Sequence, residues 1–403
     1  MMPVIYAVLI CHFLTAFTAL GMPLFMPRML ASLMEGDPEY LTGIMFIVPV
    51  LCAALTATWW GRFADKFGKK QSLLRAQLGL IVGFLLSGFA DTLWLFCLGL
   101  IVQGLCGGTL AASNAYLSSK FKGASLAKSL NMTQLSARLA LVSAPVVLGA
   151  FTQIESPLDI YRYLAILPCI AFVVCLFLEK DELSTKAKKS PLSSLLSTTA
   201  SPTTASSASS TADRTEKKEM SQVLLLQFLF CFSMVVTFPY FLPYVQTLAT
   251  SSDSVVGFYY SLPHLVYILL ATSVGKLTLN AHKQTLIGLL ILGVSCFGQF
   301  LLSSSDGLVI YRLLFGLGML LSYSGLHLML SERLQHNKAG LSFGRFDAWG
   351  KWGGVLAGLS AGYISQQFSL HWPFLLASIA CLLAVIVLVF YRKESFKHVY
   401  PTA

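Results

Sequence analysis

The stretch WWGRFADKFGKK, Trp59–Lys70, closes an apolar run with two glycines, one acid and four basic side chains. Gly61 and Gly68 permit tight backbone at a helix end and close approach between helices. Asp65 is a lone acid among Arg62, Lys66, Lys69 and Lys70, suited to a helix N-terminus or a basic partner. A basic loop at the end of a membrane span accounts for the lysines. It does not account for the spacing of Gly, Asp, Gly and paired Lys. That spacing has meaning only if the run before it crosses a bilayer, and composition answers that.

Of the 403 residues, 56% are hydrophobic and 11% charged, where a soluble chain carries about a quarter charged. Apolar runs of roughly 20 residues, the length that crosses a bilayer, recur along the sequence. The chain is a polytopic membrane protein. Its net charge of +10 sits in loops on one side, the positive-inside pattern. After Arg62 to Lys70 come Lys120, Lys122 and Lys128, then Lys276 and Lys283, then Arg333 and Lys338. Alternate loops carry Glu35, Asp37, Glu39, Glu155 and Asp159. Charge therefore sets topology, and no nucleic-acid partner is implied. The nine cysteines lie in apolar runs without a CxxC pair and read as small buried hydrophobes. No metal site or cofactor is expected. The first apolar run lacks a basic leader and has a counterpart later in the chain, so it is expected to be retained.

Apolar runs between turn signals number about twelve by the hydropathy criterion. They lie near 4–26, 41–60, 71–90, 93–117, 129–152, 161–178, 221–245, 255–275, 284–303, 307–330, 341–365 and 371–391. Between the sixth and seventh, residues 180–220 include the Ser/Thr/Ala-rich segment SPLSSLLSTTASPTTASSASST. Such a segment buries too little apolar surface to order itself and reads as a flexible linker. It divides the chain into 1–179 and 221–403. The two parts repeat. PLFMP (Pro23–Pro27) corresponds to PYFLP (Pro239–Pro243), and TGIMFIVP ending at Pro49 to VGFYYSLP ending at Pro263. Gly61 corresponds to Gly275, and Gly149 to Gly362. The predicted fold is all-α: twelve transmembrane helices in two pseudo-symmetric six-helix bundles, parallel repeats about an axis along the membrane normal. With the linker on the basic side, both termini are predicted to be cytoplasmic.

On these residues the sequence resembles the major facilitator superfamily, whose loop after the second helix reads Gly-x-Leu-Ala-Asp-Arg-x-Gly-Arg-Lys. The match is Gly61, Phe63 for Leu, Ala64, Asp65, Lys66, Gly68, Lys69 and Lys70. The resemblance implies alternating access, in which two bundles rock about a midplane site. It also implies that Asp65 docks on the start of the eleventh helix, around Gly344 and Arg345, in the outward-facing state. The fifth span, LALVSAPVVLGAF, is similar to a weakened form of the Gly-Pro signature of the family's drug and metabolite antiporters, with Ala144–Pro145 for Gly-Pro and Gly149 kept. A Pro-kinked packing helix explains Pro145 and Gly149 equally well. That antiporter branch carries an Arg early in the fourth span. Here Leu100 occupies the place, and an Arg stands at the repeat-related position, Arg312.

Ionisable residues inside spans are costly and functional by default. In FGRFDAWGKWGGVLAG, Phe343–Gly358, Lys351 falls about 16 Å into the eleventh span, near the middle of a roughly 30 Å core. Its repeat counterpart is Arg138, and two converging cations favour an anionic ligand. Asp347, four residues before Lys351, offers the alternative of a same-face ion pair, whereas Arg138 has no acid three or four residues away. Asp347 is the first candidate for proton coupling, with His264, His12 and His327 as alternatives. A lone His in an apolar helix is more often a packing residue. Arg345, about 7 Å in, can snorkel to the interface. Gly354, Gly358 and Gly362 form a small-residue packing stripe. Tyr240, Tyr244, Tyr259, Tyr260 and Tyr267 are candidates to line a cavity, with Tyr240 and Tyr260 taken as ligand contacts.

The expectation is a secondary transporter in a bacterial inner membrane. It exports a small amphipathic or anionic molecule, a drug or siderophore, in exchange for protons, and acts as a monomer. No GxxxxGK[ST] loop occurs, so an ion gradient is the expected driving force. Uptake is the alternative within transport. A transporter-fold receptor would need an output domain, which the tail RKESFKHVYPTA does not supply, and an enzyme would need clustered catalytic groups.

Overall fold

The computed structural model describes residues 2–34, 39–121, 123–151, 156–179, 208–274, 279–332 and 339–399, which form helices and short turns without strands. The linker residues 180–207 and Glu35, Asp37, Glu155, Lys122, Gly275, Lys276, Arg333 and Lys338 lie outside that set, as do the side chains of Asp65 and Lys128.

The first half runs as Met2–Gly21 continued by Met26–Leu33, then Glu39–Phe67, Lys69–Gly88, Leu93–Cys106 continued by Thr109–Lys120, Gly123–Phe151, and Pro157–Leu164 continued by Ile166–Leu176. The second runs as Ala208–Val235 continued by Phe241–Leu248, then Asp253–Val274, Ala281–Leu301, Leu308–Ser331, Ala339–Gln367 and Trp372–Val399. Six spans per half follow, twelve in all. Ten are long and apolar enough by composition to cross a membrane. The seventh falls short because its apolar part is only Met220–Val235. The eleventh carries Arg345, Asp347 and Lys351. The seventh span starts at Ala208, inside the segment read as linker. Its sequence ADRTEKKEM is built of strong helix formers, which explains the earlier start.

Proline breaks fall where the repeat places them. PLFMP interrupts the first span with a 3-10 turn, Met22–Phe25, and PYFLP interrupts the seventh between Val235 and Phe241. Pro49 and Pro263 lie within the second and eighth helices. The backbone of Gly104 lies against Pro49, and that of its counterpart Gly316 against Pro263, so closely that any side chain there would overlap the proline. A twofold relation read from sequence offsets thus recurs as helix contact.

Each loop alternates between a basic end, which carries Lys69, Lys70, Lys120 and Lys283, and a far end. Hydrophobic burial is asymmetric between them. At the far end one cluster joins both halves, Met22, Phe25, Met29 and Leu30 packing with Phe241, Leu242, Val245 and Leu248. Toward the basic end the clusters separate. One belongs to the first half, around Val8, Leu73, Tyr116 and Cys175, and one to the second, around Leu226, Leu289, Met319 and Ala384.

Glycines tighten the joint. A Cβ on Gly43 of the second span would overlap the Gly358 carbonyl of the eleventh, and one on Gly257 of the eighth would overlap the Pro145 carbonyl of the fifth. Gly149 similarly abuts the Asp253 carbonyl, and Gly362 the backbone of Tyr40. These crossings, second on eleventh and fifth on eighth, are twofold equivalents, since Gly257 follows Gly43 by 214 (257 − 43) and Gly362 follows Gly149 by 213 (362 − 149). Ser254 Oγ donates to the Val146 carbonyl at 3.1 Å. Pro145 and Gly149 of the antiporter-like helix therefore serve as inter-bundle packing residues here.

An ion pair adds to this seal. Arg28 Nη2 and Nε donate to the two carboxylate oxygens of Asp253 at 2.9 and 3.2 Å, and Gln246 Nε2 donates to the same carboxylate at 3.1 Å. The Asp253 side chain is 4% exposed and that of Arg28 47%. The two ends of this pair respond differently to truncation. Arg28→Ala removes the bidentate partner of a buried carboxylate, whereas Asp253→Ala releases a guanidinium that reaches water. Arg28→Ala should therefore lower the thermal unfolding midpoint of purified protein more than Asp253→Ala, by the equivalent of about 1–3 kcal/mol. Equal midpoints would remove the pair from the seal.

Candidate functional site

A cavity of about 640 Å³ lies between the bundles, walled by the first, second, fourth and fifth spans with Leu80 and Tyr161 from the third and sixth on one side, and by the seventh, eighth, tenth and eleventh on the other. The volume suits one small organic molecule. Its first-half wall is mostly apolar, with Met22, Phe46, Val50 and Leu100. Its ionisable groups are Arg138 from the fifth span and His264, Asp347 and Lys351 from the second half, together with the phenols of Tyr260 and Tyr323. Sequence reasoning took Arg138, Lys351 and Tyr260 as ligand contacts and Asp347 and His264 as proton-coupling candidates, and all five line this cavity.

Arg138 reaches across the bundle interface. Its Nη1 lies 3.2 Å from His264 Nδ1, and its guanidinium stacks 4.2 Å from the Tyr267 ring centre and 5.9 Å from that of Tyr323. Arginine has donors only, so Nδ1 must accept. His264 is therefore neutral in this arrangement, with its proton on Nε2. Among the described residues Arg138 has no carboxylate partner.

Lys351 is different. Its Nζ lies 2.8 Å from Asp347 Oδ2, one helical turn away, with 37% and 68% of the two side chains exposed. The i, i+4 ion pair left open by the sequence is thus formed, and the proposed pair of bare cations reduces to one. Gly350 and Gly354 line the cavity beside them, and Gly350 packs closely on Gln227 and Cys231 of the seventh span.

Tyr240 lies outside the cavity, a correction to its reading as a ligand contact. It is 1% exposed, and its hydroxyl accepts from the Gly43 N–H at 3.0 Å. Placed just before the Phe241 restart of the seventh span, it braces the far-end crossing. Tyr244 is also buried, donating to the Gln299 carbonyl at 2.5 Å.

The residues expected to gate lie on the second, third and eleventh spans toward the basic end. Gly68 adopts φ +108°, where a side chain is strained, and joins the second and third helices. A Cβ on Gly61 would meet nothing within 4 Å, and Arg345 is exposed. Lys70 Nζ donates to the Leu176 carbonyl at 2.7 Å, capping the sixth span; Lys69 sits on the same first turn. Among the alternative histidines, His12 is buried in the first span with neither ring nitrogen hydrogen-bonded, and His327 Nδ1 lies 2.9 Å from the Tyr323 carbonyl of its own helix. Neither lines the cavity. The cysteines are free, and Cys169 is exposed rather than buried.

Two arginines serve the cavity from behind. Arg312 is 1% exposed. Pro263 has no N–H for the Tyr259 carbonyl four residues back, and Arg312 Nε donates to that oxygen at 3.0 Å. Its Nη2 donates to the Tyr260 carbonyl at 2.9 Å, and Phe241 lies 4.3 Å from the guanidinium. Arg312 thus holds the kink that presents Tyr260 and His264, which gives this repeat-shifted Arg a positioning role. The second is Arg75, which sequence reasoning missed, as it missed the break it serves. The fourth span, expected to be continuous, is interrupted at Gly107 and Gly108, where Gly108 has φ +91°. Arg75 Nη1 donates to the Cys106 and Gly107 carbonyls at 2.6 and 3.0 Å, and its guanidinium stacks 3.6 Å from the Trp60 ring centre. Trp60 Nε1 donates to the Leu105 carbonyl at 2.6 Å. Broken helices survive at membrane depth when such donors satisfy the freed carbonyls.

Residues 8–306 and 223–402 match the family model described as Major Facilitator Superfamily. A multidrug resistance protein MdtG of Dickeya zeae is 23% identical over 374 residues, covering 90% of this chain and 87% of that protein. The Escherichia coli class B tetracycline resistance protein is 26% identical, covering 43% of this chain and 44% of that one. The Staphylococcus aureus staphyloferrin B transporter is 30% identical, covering 39% and 36%. With these last two the chain spans less than half of the relative's length. A crystal structure of a POT family transporter in complex with 5-aminolevulinic acid superposes with a TM-score of 0.77 at 14% identity, covering 96% of both chains. A D-xylose-proton symporter superposes at 0.76 and 11% identity, covering 95% of this chain and 96% of that one. Two six-helix bundles around a part-polar central cavity make this a multi-pass membrane protein with a transporter fold. The chain belongs to the Major Facilitator Superfamily.

Replacing Arg312 by its repeat counterpart, as Arg312→Leu, leaves the Tyr259 carbonyl without a donor. The loss of these hydrogen bonds should cost on the order of 2–4 kcal/mol, read as a lower thermal unfolding midpoint, with Arg312→Lys intermediate. An unchanged midpoint in Arg312→Leu would show that the kink needs no donor.

Proposed function

We propose that this protein is a proton-coupled exporter in a bacterial inner membrane, carrying a small amphipathic or anionic organic molecule by alternating access. The basic end is cytoplasmic by the positive-inside pattern, so both termini are cytoplasmic. The observation that carries the reading is Arg138, a cation from one bundle held at the cavity wall by His264, Tyr267 and Tyr323 of the other. A ligand anion there competes for donors that tie the halves together, so binding and bundle movement share one group. The far-end seal, with an open basic end, corresponds to the inward-facing state. Export rather than uptake is supported by the multidrug and siderophore relatives. Asp347 and His264 are the proton-coupling candidates, both within the ligand cavity.

Counterflow in proteoliposomes with labelled organic anions tests this directly. Arg138→Gln should lower the rate at least tenfold, about 1.4 kcal/mol or more, and an inward proton gradient should drive efflux from inverted vesicles. Unchanged counterflow in Arg138→Gln removes the anchor, and accumulation under the opposite gradient makes the protein an importer.

When the far end opens, the second and eleventh spans should close at the basic end, and Asp65 should meet Arg345 there. Asp65→Arg and Arg345→Asp should each reduce transport severalfold and the double reversal should recover much of it. Failure of the double variant to recover argues against that contact.

A further inference from the structure

Charge in the cavity is set by four side chains. Lys351 and Asp347 neutralise each other at 2.8 Å. His264 is neutral because its Nδ1 accepts from Arg138. Arg138 remains, with no acid within ion-pair distance among the described residues. The other charged or phenolic groups on the wall, Tyr161, Tyr260 and Tyr323, carry no charge at neutral pH. The cavity therefore holds one net positive charge.

We propose that this count selects the ligand: the cavity takes an amphipathic monoanion, a single carboxylate on an apolar body, over dianions, neutral molecules and cations. This rests on Arg138 as the ligand anchor. Tyr267 lies against one side of the guanidinium with Tyr323 next to it, and His264 takes one Nη1 hydrogen. The remaining donors have no protein acceptor among the described residues. A planar fork of this kind matches one carboxylate, which accepts two hydrogen bonds. A second ligand charge finds no cation except Lys351, already paired with Asp347, and so gains no partner of its own. A cation meets Arg138 with nothing but Asp347 in compensation, and Asp347 is held by Lys351. Below the guanidinium the first-half wall is Phe46, Ile47, Val50 and Leu100, so the rest of the ligand gains by being apolar.

The test keeps the ligand body constant and varies its charge. Binding of 2-naphthoate, 2,6-naphthalenedicarboxylate, 2-naphthamide and 2-naphthylmethylammonium to purified full-length protein is measured by titration calorimetry. The wild type should bind the monocarboxylate at least tenfold more tightly than the other three. Asp347→Asn frees Lys351 and raises the cavity charge by one, so the dicarboxylate should gain at least tenfold relative to the monocarboxylate. The double variant Asp347→Asn, Lys351→Gln restores the original count and should restore the monoanion preference. Unfolding midpoints equal to wild type establish that the variants fold, as expected for a half-exposed pair. A wild type that prefers the dicarboxylate or the ammonium, or binds none of the four, overturns the proposal, as does an unshifted preference in Asp347→Asn. Loss of all preference for carboxylates with Arg138→Gln supports the anchor. Retention there would sink the anchor itself, an outcome distinct from a miscount of charge.

Discussion

Backbone approach at two glycine crossings is the constraint on which the arrangement depends. Gly43 against Gly358 and Gly257 against Pro145 leave no room for a methyl group, so the second and eleventh spans, and the fifth and eighth, meet with their main chains nearly in contact. Between helices in lipid there is little hydrophobic drive, and such close packing supplies the attraction. Both crossings lie on the far-end side of the cavity and are related by the internal repeat. The apolar cluster from Met22 to Leu248 and the Arg28–Asp253 pair then complete one closed end. The other end is left with two separate cores and a cavity between them.

A second theme is the use of arginines to repair helices that had to be broken. Kinks and interruptions shape the cavity, yet each one exposes carbonyls that hydrocarbon cannot solvate. Arg312 repairs the eighth helix from the tenth, and Arg75 with Trp60 repairs the fourth from the third and second. These cations spend donors on backbone carbonyls and lie against aromatic rings, whereas Arg138 lines the cavity. Arginines at membrane depth thus do two different jobs, and only the set of acceptors around each one tells them apart.

Several features could be read before any coordinates. The Ser/Thr/Ala linker, the paired PLFMP and PYFLP segments and the drifting offset near 214 (263 − 49) announced two related halves. The Asp347–Lys351 pair was legible too, since four residues is one helical turn. Tyr240 was misread because a tyrosine near a span end looks the same whether it lines a cavity or braces a crossing. The break at Gly107 and Gly108 went unread within its apolar run, because nothing local distinguishes a helix that breaks from one that merely packs closely. Arg138 was visible as an isolated cation, but its partner His264 is 126 residues away, a distance over which periodicity carries no information.

Sequence alone determined that the chain is helical, spans a membrane, repeats itself and places ionisable groups at mid-depth. Those properties follow from local rules: hydrocarbon admits closed hydrogen-bonded helices, loops carry the orienting charge, and neighbours on a helix face are three or four residues apart. Tertiary structure alone decided which end is shut and which arginine faces the cavity. Each of those depends on groups from different helices meeting within a few ångströms. Such meetings are set by the packing of whole spans, not by any stretch short enough to be read in isolation.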